Sequence, residues 1–216
     1  MQTGAGDTSK RTITVVGEGV VTAKPDIVRI NLGVDIIAPN LADAMKQNST
    51  KIAAVISKLK SLGVADKDIQ TSNLSVNVER NFERGGAGAV TGYRVSNTVV
   101  TVIRDLNKVS DILDQAIQAG ANNVYGISFN IENSTKQEAE ARAKAVADAQ
   151  MRADDIAKLH GTSRGEPITI SEGTSPTIFS LNAAPAALGL GGGGGPPVES
   201  GALEIRVRVQ ITYAVK

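Results

Sequence analysis

The chain has 216 residues, a formal net charge of +1, 41% hydrophobic and 21% charged residues, and neither Trp nor Cys. That length serves one large domain or two small ones, and folding buries roughly 70% of the unfolded surface, so the core needs no staples. Near-neutral charge excludes a strong field for DNA, RNA or anionic lipid, 3% aromatic content argues against single-stranded nucleic-acid binding, and the lack of Cys excludes disulfides, thiolate catalysis and thiolate metal sites.

Residues 1–11, MQTGAGDTSKR, are small and polar and are expected to be disordered. They have no apolar h-region, so they do not read as a signal peptide; they fit the start of a mature chain whose export signal was removed, with Met1 added for expression. No apolar run reaches the length of a membrane-spanning helix. Two strands follow, ITVVGEGVVT and IVRINLGVDI, hinged on Ala23-Lys24-Pro25-Asp26. Branched apolar and polar residues alternate in both, and Pro25 holds the hinge out of helical geometry. Asn40 is placed to cap a helix whose apolar stripe is Leu41, Met45, Ile52, Val55, Leu59 and Leu62, ended by Gly63. Residues 69–82 and 93–104 read as strands joined across the glycine-rich RGGAGAVTG. A second helix runs over 106–119, capped by Asp105, with Leu106, Val109, Leu113 and Ile117 on one side and Gly120 at its end.

Residues 123–132 read as a strand. Ser134 with Gln137 gives a capping-box signature for the longest helix, over 135–160, with Ala139, Ala143, Val146, Ala149, Ala153 and Ile156 as its stripe and Gly161 as its stop. Residues 167–179 read as one strand, residues 180–201 as a flexible low-complexity loop, and residues 203–215 as a closing strand with Leu203, Ile205, Val207, Val209, Ile211 and Tyr213 on one face. The similarity of LKSLGVADKDIQTSNLSV to LDQAIQAGANNVYGISFN suggests two related strand–helix–strand units. The order ββαββαβαββ makes an α+β fold, a mixed or antiparallel sheet packed by three helices, in one domain over 12–216.

Few residues suggest chemistry. His160, the one histidine, sits at a helix end, where a cap or dipole partner is the ordinary role, and Asp154 and Asp155 are poorly spaced to assist it. Asp66, Asp68 and Glu172 lack the spacing of a calcium loop. Gly17-Glu18-Gly19 lacks the third glycine of a dinucleotide loop, and Gly191–Gly195 lacks the Lys-Ser/Thr of a phosphate loop. Arg206, Arg208 and Glu204 share a strand face, as a solvated surface or an intersubunit ion-pair ladder. Sequon triplets start at Asn48, Asn73 and Asn133. Neither catalytic nor metal nor cofactor-binding residues emerge.

GEGVVTAKPD (17–26), DKDIQTSNLSV (66–76, from Asp66), TGYRVSNTVVTVIRD (91–105), the Ala-rich helix into KLHG, and ALEIRVRVQITYAV (202–215) together resemble the SIMPL-domain family in order and spacing. The resemblance implies an exported bacterial protein, periplasmic or outer-membrane-associated. The relatives it implies include an immunodominant periplasmic antigen that assembles into a large hollow ring-like oligomer and proteins linked to oxidative and envelope stress, so a ring-like or channel-like homo-oligomer with an envelope structural or stress-protective role is expected. It carries no defined catalytic residue. The expected partners are the chain itself, in an assembly above a dimer, and a membrane surface or envelope proteins; nucleic acid and cofactors are not expected. The alternative is a binding module for an apolar small ligand or an unfolded polypeptide, using the apolar segment 181–190. A hydrolase would need a nucleophile–base pair that the sequence does not offer.

Overall fold

The computed structural model describes residues 11–81, 88–173, 177–181 and 201–216. Among these the elements are β1 (Thr12–Ala23), β2 (Ile27–Ala38), α1 (Leu41–Ser61), β3 (Ile69–Asn81), β4 (Ala89–Ile103), α2 (Val109–Gln118), β5 (Asn123–Asn130), α3 (Thr135–Leu159), β6 (Arg164–Glu172), β7 (Thr177–Leu181) and β8 (Ala202–Val215).

 The long helix α3 spans Thr135–Leu159, and single 3-10 turns at Asp66–Asp68 and Leu106–Lys108 precede β3 and α2. The α+β class holds, and every strand pair is antiparallel. There are two four-stranded sheets where one was expected. The stretch read as one strand over 167–179 makes two, β6 and β7, and both pair with β8. The expected disordered start lies outside the described residues except for Arg11, and so do 182–200 of the expected loop and 82–87 of the glycine-rich connection.

The described elements fall into two compact units. In the first, β8 lies between β1 and β6, and β7 also pairs with β8. Thr12 to Ala23 run opposite Ala214 to Leu203 without a break. The alternation expected of β8 is present: Leu203, Ile205, Val207, Val209, Ile211 and Tyr213 are all buried. Helix α3 buries Ala141, Ala145, Ala149, Ala153 and Ala157 at strict four-residue steps. The expected stripe was therefore correct at Ala149 and Ala153 and out of phase elsewhere, with Ala139 and Ala143 exposed. The cause is on β1. Gly17 and Gly19 present bare backbone to the helix, and only Ala permits the resulting approach.

In the second unit the sheet order is β3-β4-β2-β5. The two repeats suspected in the sequence are β2-α1-β3 and β4-α2-β5, interleaved so that each repeat contributes one edge strand. This is the split β-α-β, ferredoxin-like arrangement. Val28, Ile30, Leu32 and Val34 of β2 and Val95 and Val99 of β4 form the core with Ile52, Val55 and Leu59 of α1 and Ile112, Leu113 and Ala116 of α2. Asn40 caps α1 as expected, its Oδ1 accepting the Asp43 N–H at 2.8 Å. Gly63 and Gly120 end their helices at φ +90 and +120. Two expected stripe residues, Leu41 and Ile117, are exposed instead. The opposite sheet face carries no helix of this unit, and that leaves it open to form a site.

Candidate functional site

The residues singled out from sequence do not converge on one site. His160 is exposed at the end of α3, where its backbone N–H closes the last turn on the Ile156 and Ala157 carbonyls. Asp66 pairs with Lys60 at 3.1 Å, Asp68 with Arg104 at 3.0 Å, and Glu172 with Arg142 at 2.8 Å, so these three acids are engaged separately. No group of three or more metal-ligating side chains occurs among the described residues. Gly17 and Gly19 serve packing against α3. Arg206 bridges Glu18 and Glu204 at 3.0 and 3.2 Å, and Arg208 reaches Glu18 at 3.4 Å, a ladder within one chain across β1 and β8.

Of the sequon asparagines, Asn48 is buried. Its amide donates to the carbonyls of Val34 and Val95 at 2.6 and 3.1 Å, tying α1 to two strands. Ser134 does not form the expected box with Gln137. Its hydroxyl donates to Glu138, and Asn133 Oδ1 accepts the Thr135 N–H at 3.1 Å.

A concavity that sequence reasoning missed occupies the helix-free face of the second unit's sheet. Its volume is about 470 Å³. Strand alternation builds the floor: Val28 and Ile30 point into the core, so Ile27 and Arg29 point the other way. Register then sets Arg29 between Val102 of β4 and Ser128 of β5, and sets Gln70 of β3 beside Val100. Lys67, Asp68, Arg104 and Glu132 complete the rim.

Arg104 organises that rim. Its Nε and Nη2 donate to the two oxygens of Asp68, each at 3.0 Å, a bidentate pair with a buried carboxylate. Its Nη1 donates to Glu132. The two carboxylates raise the Arg104 pKa above its ordinary value. The hydrogen bond from Arg104 holds the Glu132 carboxyl below the usual carboxylate range. Asp68, Arg104 and Glu132 are far apart in sequence, so no spacing pattern could have announced them. Among the described residues neither Arg29 nor Lys67 closes an ion pair, although the Lys67 charge also helps hold Glu132 down.

A second surface is the β3 edge. β3 pairs with β4 alone. Leu74, Val76 and Val78 alternate along it and are 56%, 45% and 46% exposed. They share a face with core residues, since Val76 stands opposite Val95, yet they lie beyond the cover of the helices.

A family model described as SIMPL, protein of unknown function (DUF541), matches residues 13–213. The chain is similar to the 26 kDa periplasmic immunogenic protein of Brucella melitensis, at 28% identity over 214 residues that cover 94% of this chain and 84% of the relative. It is similar to the uncharacterized protein YggE of Escherichia coli K12, at 31% identity over 145 residues, 67% of this chain and 58% of the relative. YggE of Edwardsiella ictaluri matches at 26% identity over 180 residues, 81% and 75% of the two chains. The matched span takes in all of the described fold except the outer ends of β1 and β8, and the chain belongs to the SIMPL family.

Proposed function

We propose that this SIMPL protein is an exported, periplasmic, non-enzymatic protein that assembles into a homo-oligomer larger than a dimer, with a structural or stress-protective role in the bacterial envelope. The periplasmic part rests on similarity to a relative whose name places that relative in the periplasm. The assembly part rests on one observation: both edge strands of the second unit's sheet carry long stretches without charge that expose apolar side chains. Residues 69–78 of β3 and 123–130 of β5 contain no charged side chain. β3 exposes Leu74, Val76 and Val78, and β5 exposes Tyr125 and Ile127. Monomeric proteins usually guard such edges with Lys, Pro or a covering element. The edge strand β1 of the first unit is guarded in that way: Asp148 of α3 accepts the Glu18 N–H at 2.8 Å, and Lys144 donates to the Val20 carbonyl at 3.3 Å.

The occupant of each bare edge is a second copy of this chain. Pairing β3 of one copy with β5 of the next is a head-to-tail contact, which propagates until rotation closes a ring. Size-exclusion chromatography with light scattering tests this. The parent is expected well above dimer mass, and Val76→Lys and Ile127→Lys each fall to monomer. Mixed together, these two variants are expected to form a heterodimer, because one intact β3 and one intact β5 remain. A monomeric parent at micromolar concentration overturns the assembly, and variants that keep the parent's mass overturn the edge assignment. The second reading, a binding module, draws its support from the concavity.

A further inference from the structure

The concavity's chemistry is uneven in a useful way. Three cations line it, Arg29, Lys67 and Arg104, against two carboxylates, Asp68 and Glu132, an excess of one positive charge. Both carboxylates are committed to Arg104, whose Nε, Nη1 and Nη2 are all engaged in return. Among the described residues Arg29 is therefore the cation without a carboxylate partner, and Lys67, whose charge helps hold the Glu132 carboxyl down, is the second cation of the lining. Beside Arg29, Ser128 stands directly opposite on β5. Asn130 Nδ2 donates to the Ser128 hydroxyl oxygen at 3.2 Å, which leaves the hydroxyl proton to donate elsewhere. A guanidinium, an ammonium and a hydroxyl donor thus line one concavity together with Ile27, Val100 and Val102. The volume of about 470 Å³ lies within the ~300–1,000 Å³ typical of small-molecule sites.

We propose that this concavity binds a small organic oxyanion with a short aliphatic body. Arg29 and Lys67 take the oxyanion with help from the Ser128 hydroxyl, and Ile27, Val100 and Val102 take the body. A guanidinium suits either a carboxylate or a phosphate monoester, because its paired donors match both. Asp68 and Glu132 share Arg104, a cluster of one net negative charge, which Arg29 and Lys67 outweigh by one. A cationic ligand is disfavoured because the lining as a whole carries an excess of one positive charge.

Saturation-transfer NMR on the full chain at neutral pH, titrated with hexanoate, hexyl phosphate, hexanol and hexylammonium, tests this. Saturable binding of hexanoate, hexyl phosphate or both is expected, with hexanol and hexylammonium at least tenfold weaker. Binding of one anion and not the other identifies the headgroup. Arg29→Gln is expected to weaken anion binding at least tenfold and Lys67→Gln severalfold. Arg29 and Lys67 are both exposed, so circular dichroism of each variant should match the parent. Three results each overturn the proposal: no saturable signal for either anion, hexanol binding as tightly as hexanoate, or unchanged anion affinity in both variants.

Discussion

A Cβ added to Gly17 would sit 2.1 Å from the Ala145 carbonyl oxygen and 2.7 Å from the Ala149 Cβ. One added to Gly19 would sit 1.9 Å from the Ala141 carbonyl oxygen. These obstacles are mostly helix backbone, which cannot rotate away. Neither glycine is needed for a left-handed conformation; both are needed for space. Gly17→Ala and Gly19→Ala are therefore expected to cost ~3 kcal/mol each, the upper end of ordinary overpacking. At ~2–4 °C per kcal/mol for a chain of this size, that is a drop of ~6–12 °C by scanning calorimetry. Ala149→Leu and Ala153→Leu push on the same interface from the helix side and are expected to cost ~1–3 kcal/mol. Ala143→Leu is the control, since Ala143 is exposed and the change should stay within ~0.5 kcal/mol. Equal melting of all four variants and the parent would remove the close approach.

At the scale of elements, α3 both packs on β1 and closes its outer edge. The Glu18 N–H, and after it Arg152, hold the Asp148 carboxyl below its ordinary value. An unfolded chain takes up that proton more readily, so ionised Asp148 contributes stability that is fully present above ~pH 4 and is lost as pH falls through its lowered native value. Glu172, held down by Arg142, acts in the same direction within the same unit. Asp148→Asn is expected to melt below the parent at neutral pH and to lose less on acidification. Melts of both proteins between ~pH 7 and ~pH 3 check this, and curves that stay parallel exclude Asp148 from the acid response.

The same helix shows where sequence reading stops. Ala stands at 139, 141, 143, 145, 147 and 149, so apolar periodicity alone cannot choose a phase. The phase is chosen by Gly17 and Gly19, about 130 residues away, whose spacing of two matches a strand face looking at a helix. In contrast, β8 was legible because Leu203 to Tyr213 alternate without exception and each inward residue has the same requirement.

At the scale of the whole molecule, the echo between the α1–β3 and α2–β5 segments announced a repeat but not its consequence. A repeated β-α-β can stand beside its twin or interleave with it. Interleaving is a long-range pairing of β2 with β4 and β5, which no local signal encodes. It has two functional results: both edges of one sheet carry charge-free stretches, 69–78 and 123–130, and the helix-free face gathers Arg29, Val102 and Ser128 from three different strands. The proposed assembly and ligand surfaces thus use one sheet in different ways. Val76 shares the face of Val95, whereas Arg29 shares that of Val102, on the opposite side. Changes at separated positions without shared partners combine additively. Val76→Lys should therefore abolish assembly while leaving hexanoate affinity within about twofold of the parent, and Arg29→Gln should weaken hexanoate while leaving the light-scattering mass unchanged. Loss of both properties in either single variant would mean that ligand and neighbouring copy share a surface, and the concavity would then be part of the assembly interface.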